Sequence, residues 1–238
     1  MSKRTIPVVD LSKFVNGDAA EKQAFVNEIG AAFHEVGFVG VVNHGIPKEL
    51  VDGFYKASKT FFSQPVATKR QYQVEGLSGQ RGYTSFGMEH AKQSQVADLK
   101  EFFQMGQFMQ REDYDKNEYP DNLDTSETPE FTALGKDLYK AFENSGGHLL
   151  RAIAIYLDLD ENYFEEKINE GLSILRSIHY PPITEEPRSA IRAEQHEDIN
   201  LITLLVGASA GGLQLLNTND EWLDITPGED EIVINVGD

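Results

Sequence analysis

The chain reads as an α+β fold with a mainly β core. Three observations carry that reading. Apolar residues recur at helical spacing through the first half and along one long central segment, short strand-like segments fill the chain beyond Gly171, and Gly, Pro and Asn/Asp turn signals separate those segments. Short strands at this spacing are what a double-sheet jelly roll is built from, here with N-terminal helices and a long helix packed on it.

In order, residues 6–11 form an opening strand, and Phe25, Ile29, Phe33 and Val36 then mark an amphipathic helix. Gly37 and Gly40 frame a short β-branched strand through Val42. Pro47 sits in the first turn of the next helix, where a missing N–H costs nothing, and Leu50, Val51, Phe54, Tyr55, Ser58, Phe61 and Phe62 follow one face until Pro65. Residues 75–128 are irregular apart from one strand signal around Phe102, and a loop region of this length in a compact domain is more often functional than idle. A long helix over 129–157 carries Phe131, Leu138, Phe142, Leu149 and Ile153, with Ser145-Gly146-Gly147 as its weak point, and a short helix follows Asp160. Strands are expected at 173–179, 200–206, 212–216, 221–225 and 231–236, with a hairpin loop at Asn217-Thr218-Asn219-Asp220. Residues 1–120 thus form a helix-and-strand region and 121–238 the long helix plus jelly-roll core, together one compact unit.

Composition excludes several classes. With 238 residues, 40% of them hydrophobic, the chain can bury a substantial core. A net charge of −18 repels phosphate backbones and anionic lipid, so neither nucleic acid nor membrane is an expected partner. The absence of cysteine rules out disulfides, thiolate metal sites and cysteine nucleophiles. Lys3 and Arg4 precede an apolar run that Pro7 and Asp10 break too early for a signal peptide, no segment approaches a membrane span, and the expected compartment is the cytoplasm. Nothing in the sequence sets an oligomeric state.

The chemistry concentrates in Gln195-His196-Glu197-Asp198-Ile199-Asn200, a His-x-Asp pair running into a β-branched apolar strand. In an extended chain side chains alternate, so His196 and Asp198 project to one side and Glu197 to the other. An imidazole and a carboxylate on one edge of a divalent ion, completed by a second histidine, make the facial triad that leaves positions on Fe(II) open for substrate and dioxygen. By itself the tripeptide also fits an exposed polar strand start.

Six ordered blocks extend the pattern: Ile6-Pro7-Val8-Val9-Asp10-Leu11, Gly37 through Ile46 with the Phe61-Phe62 helix, Arg81-Gly82-Tyr83, Asp98-Leu99-Lys100-Glu101-Phe102-Phe103, Tyr180-Pro181-Pro182 with the His196 segment, and Gly212-Leu213-Gln214-Leu215 with Asn235-Val236-Gly237-Asp238. In these blocks the chain resembles the isopenicillin N synthase-like branch of the Fe(II)/2-oxoglutarate-dependent oxygenases, over nearly its whole length. The resemblance implies a distorted double-stranded β-helix. It also implies a reaction in which Fe(II), 2-oxoglutarate and O2 oxidise a small-molecule substrate by hydroxylation, desaturation or ring closure, releasing succinate and CO2.

The same resemblance makes His196 and Asp198 the metal ligands, with no catalytic group beyond the ligands. The family's third ligand is a histidine some tens of residues past the Asn-x-Gly-Asp segment, accompanied by an Arg-x-Ser for the far carboxylate of 2-oxoglutarate. Both would fall beyond Asp238, so the chain is read as a piece of a longer protein that exposes apolar surface or strand edges. Tyr180 matches the tyrosine lining the co-substrate pocket. By alternation Arg176 and Ile178 share its face, where Arg176 is placed to meet a substrate acid group and Ile178 replaces an asparagine common in relatives. Phe102 and Gln104 match positions that wall the substrate cavity, and Tyr83 is read as closing over the substrate.

Plainer roles stand beside these: core aromatics for Tyr180 and Phe102, and a salt bridge for Arg176. Alternation turns His179 away from Tyr180, so it is not the third ligand. Asn43 and His44 are read as structural, and His90 and His148 as solvated. Two other activities stay open, an oxidase using iron and O2 without 2-oxoglutarate and a non-catalytic binding protein on the same fold.

Overall fold

The structure is a computed structural model that describes residues 6–77, 79–89, 98–184, 192–207, 211–217 and 219–237. In chain order its elements are β1 (Val8–Asp10), α1 (Ser12–Val15), α2 (Ala19–Glu35), β2 (Phe38–Val42), α3 (Lys48–Phe62), α4 (Val66–Arg70), β3 (Gly82–Thr84), β4 (Glu101–Gly106), α5 (Pro129–Tyr156), α6 (Glu165–Ile168), β5 (Ile174–His179), β6 (Ile202–Val206), β7 (Gln214–Leu216), β8 (Trp222–Asp224) and β9 (Ile232–Val236).

Local chemistry sets the helix ends. The Asp18 carboxylate accepts from the N–H groups of Ala20 and Glu21, while the Glu21 side chain accepts from Asp18 N–H, a reciprocal cap that starts α2. Pro47 serves as the N-cap of α3, one position earlier than expected, and the helix stops at Ser63, two residues before Pro65. α5 continues through Ser145-Gly146-Gly147 instead of weakening there. Each glycine costs about 1 kcal/mol against alanine. The burial of Leu149, Ala152 and Ala154 just beyond, and a 2.5 Å hydrogen bond from Ser145 Oγ to His44 O, hold the helix through that point.

The chain divides into two compact units: Met1–Ile46, Ala141–Lys167 and Glu197–Asp238 in one, Pro47–Lys140 and Ile168–His196 in the other. This cuts the sequence differently from the 1–120 and 121–238 regions, because distant segments pair in each unit.

In the first unit β1 lies parallel to β2, and β9 runs antiparallel between β2 and β6, giving the order β1-β2-β9-β6. Val39, Val41, Val233 and Ile234 are fully covered, and α2 packs on β1 and β2 with Phe25, Val26 and Ile29 buried. Gly30 of α2 abuts the Tyr156 ring so closely that a Cβ would lie 2.1 Å from it, so a larger residue there would have to displace that ring. The β7–β8 pair adds Leu215, which joins Ile6, Ile225 and Val233 in one apolar cluster.

The second unit holds the antiparallel sheet β3-β4-β5. Its core is aromatic: Phe61 stacks on Phe131 with centroids 4.7 Å apart and meets Phe103 edge-on at 5.2 Å. Burying each such ring contributes about 1.5–3 kcal/mol, which lets β4 carry charge as well as apolar groups.

Candidate metal and co-substrate site

The register of β4 against β5 sorts the expected pocket residues. Phe102 lies opposite Ile178 and Gln104 opposite Arg176, so these four share one face of the sheet. The Arg176 guanidinium sits 4.4 Å from the centroid of the Phe102 ring, and its Nη1 donates to Glu89 at 3.2 Å. With the Gln104 carboxamide turned to match its neighbours, its oxygen accepts from Arg176 Nη2 at 2.7 Å and Nε at 3.0 Å, and its nitrogen donates to Gly79 O at 3.2 Å. Phe102 and Gln104 are buried, whereas Arg176 and Ile178 are exposed. Tyr180 follows at the end of β5, half-buried, and burial pushes its hydroxyl above the ordinary tyrosine value; at neutral pH it is protonated and can donate a hydrogen bond.

Tyr83, expected to close over the substrate, does not share this face. It pairs with Phe103 across β3 and β4, which turns it to the opposite side of the sheet, 3% exposed, where its hydroxyl donates to Glu101. A Gly-Tyr turn carries no information about side. The strand register does.

On that opposite side, around Glu101, lies a polar cluster that the sequence reading missed. Lys69 Nζ donates to both carboxylate oxygens at 2.8 and 2.7 Å, and His179 Nδ1 lies 2.8 Å from Oε1 with its ring stacked on Phe62. Burial alone would push the Glu101 carboxyl up, but the bonds from Lys69, Tyr83 and His179 prevail and hold it below the usual carboxylate value. The available signal was a charged pair, Lys100-Glu101, placed directly before Phe102-Phe103 in a strand.

His196 is exposed, and its Nδ1 lies 2.8 Å from Glu194 O. A carbonyl oxygen only accepts, so Nδ1 carries a hydrogen; in a neutral ring that leaves the lone pair on Nε2, the tautomer a metal-bound histidine needs. Asp198 is half-buried, and its Oδ2 accepts from Thr203 Oγ1 at 2.7 Å and Asn235 Nδ2 at 2.9 Å. Outer hydrogen bonds of this kind orient imidazole and carboxylate ligands, and one nitrogen with one oxygen suits a ferrous ion. Among the described residues, no group of three or more His, Cys, Asp or Glu is gathered to hold a metal. His44 uses Nδ1 to accept from Ile46 N–H at 3.1 Å, a structural contact, and His90 lies outside the described residues.

Residues 6–127 match the family described as non-haem dioxygenase in morphine synthesis N-terminal, and residues 171–238 match the 2OG-Fe(II) oxygenase superfamily. The chain belongs to that superfamily.

A proline hydroxylase, buaE, of Petromyces alliaceus is 30% identical over 97% of this chain and 74% of its own length, and the 2-oxoglutarate-dependent dioxygenase htyE of Aspergillus rugulosus is 30% identical over 98% and 74%. Among solved structures, a protein assigned to the 2OG-Fe(II) oxygenase family from Caulobacter crescentus superposes with a TM-score of 0.85 at 38% identity, covering 99% of this chain and 75% of that one. A full-length Neurospora crassa protein, crystallised in complex with alpha-KG and thymine, superposes with a TM-score of 0.84 at 29% identity, covering 100% and 75%. The chain therefore has the jelly-roll fold of these enzymes, and it is an Fe(II)- and 2-oxoglutarate-dependent dioxygenase that oxidises a small molecule with O2. No helix among the described residues is long and apolar enough to cross a membrane.

Proposed function

We propose that His196 and Asp198 are the iron ligands this chain contributes, that Tyr180 meets 2-oxoglutarate, and that Phe102, Gln104 and Arg176 form the substrate side of the pocket. The finer placement is the isopenicillin N synthase-like branch, and the compartment is the cytoplasm, where Fe(II) persists. The observation that carries the ligand assignment is the set of three outer hydrogen bonds: Glu194 O fixes the His196 tautomer, and Thr203 and Asn235 fix the Asp198 carboxylate.

Bound iron supplies the activation of dioxygen, coupled to conversion of 2-oxoglutarate to succinate and CO2. The protein's own contribution is orientation. The Tyr180 hydroxyl offers a hydrogen bond to a co-substrate carboxylate, and the Phe102 ring with the Arg176 guanidinium above it offers an apolar wall ending in a positive group. That combination favours a small substrate with one acidic or strongly accepting end.

The test uses the iron-loaded protein with 2-oxoglutarate and a panel of small acids. Succinate should form in proportion to oxidised substrate, and Asp198→Ala should abolish both iron retention and turnover. An Asp198→Ala protein that keeps iron and activity removes Asp198 from the site.

A further inference from the structure

We propose that Asp98 is a positioning residue for the iron site, holding the segment that carries His196. This rests on the reading of His196 as an iron ligand. Asp98 is 4% exposed, and its Oδ1 accepts the Glu194 N–H at 3.1 Å across a chain separation of 96 residues. The carbonyl of the same Glu194 is the acceptor for His196 Nδ1. One carboxylate therefore fixes the residue whose carbonyl sets the imidazole's tautomer and ring plane.

Asp98 is itself held on its other side. Its Oδ2 lies 2.8 Å from Lys100 Nζ, and that buried ammonium is 2.7 Å from Glu89 Oε2. The Asp98 N–H donates to Glu89 O at 2.9 Å, and Glu89 pairs in turn with Arg176. Taking Asp98 and Lys100 out of water costs more in lost hydration than an apolar pair of the same size, so packing alone does not call for them here. What the ion pair provides is a carboxylate that cannot rotate, with one oxygen committed to Lys100 and the other to the His196 segment. Asp98 acts on the metal only through Glu194 and His196.

The test compares wild type, Asp98→Ala, Asp98→Asn and His196→Ala by anaerobic Fe(II) titration and by the visible charge-transfer absorption of the Fe(II)–2-oxoglutarate complex. Asp98→Ala should raise the Fe(II) dissociation constant about 10- to 100-fold and alter the absorption, as loss of an outer-shell partner does. Asp98→Asn keeps an oxygen for the Glu194 N–H and should recover most of that loss. If Asp98→Ala binds Fe(II) like wild type while His196→Ala does not, the positioning role is overturned and the ligand reading stands. If His196→Ala keeps wild-type affinity, the ligand reading itself is overturned. Failure of Asp98→Asn to recover affinity overturns the role given to Oδ1. Should Asp98→Ala not fold, hydrogen exchange in wild type decides: the Glu194 amide should be protected, and exchange as fast as an exposed loop amide overturns the proposal.

Discussion

Thr203 and Asn235 face each other across β6 and β9, and both donate to the same oxygen of Asp198, at 2.7 and 2.9 Å. Two paired strand positions thereby set the direction of a side chain that precedes the strand. Thr203→Val removes the hydroxyl while keeping the shape and leaves Asn235 as the single donor of that pair. Its Fe(II) dissociation constant should rise about 10-fold, within the range seen for outer-shell partners, read by anaerobic titration. Unchanged affinity would mean that the hydroxyl has no part in orienting Asp198.

The Lys69–Glu101 pair is covered, with side chains 5% and 6% exposed. Lys69→Met leaves the carboxylate buried with its principal positive partner gone, a change that typically costs about 3–5 kcal/mol. Urea denaturation should show this as a fall in midpoint with little change in slope. The double change with Glu101→Gln removes the stranded charge and should return most of the loss. A single variant as stable as wild type contradicts the cluster.

Glu101 also predicts an acid dependence. Its carboxyl is held below the ordinary value of 4.5 when folded and returns to that value on unfolding, so the unfolded chain binds more protons as acid is added. The stability it contributes is complete above the unfolded value and is lost as pH falls through the lowered folded one. Denaturation midpoints measured from about pH 6 down to about pH 3 should drop less steeply for Glu101→Gln than for wild type. Parallel curves would show that Glu101 does not contribute to the acid limb.

Much of this is legible in the sequence because it depends on local periodicity. Alternation along β5 puts Arg176 and Ile178 on one face and His179 on the other, and the pairing with Gln104, Phe102 and Glu101 agrees. The strands after Gly171 are placed within one or two residues of their observed ends, and α5 within one. What the sequence does not carry is long-range pairing. Tyr83 escapes a local reading because its side depends on its partner, Phe103, 20 residues on by subtraction of their numbers. Lys69 meets Glu101 over a separation of 32 residues, and Asp98 meets Glu194 over 96, distances at which no local pattern survives. The short helices α1 and α4 also go unread, since four or five residues give too little periodicity to detect.

The two-sided character of β4 divides what evolution and engineering can each alter. Positions 101, 103 and 105 are committed to the ionic cluster and the aromatic core, so change there is felt as lost folding. Positions 102 and 104, with 176 and 178 across from them, face the other way. If the proposed substrate side is right, a combinatorial library confined to the exposed positions 176 and 178 should diversify substrate preference with heat resistance near the parent's, whereas changes at Phe102 and Gln104, each 3% exposed, also weaken folding.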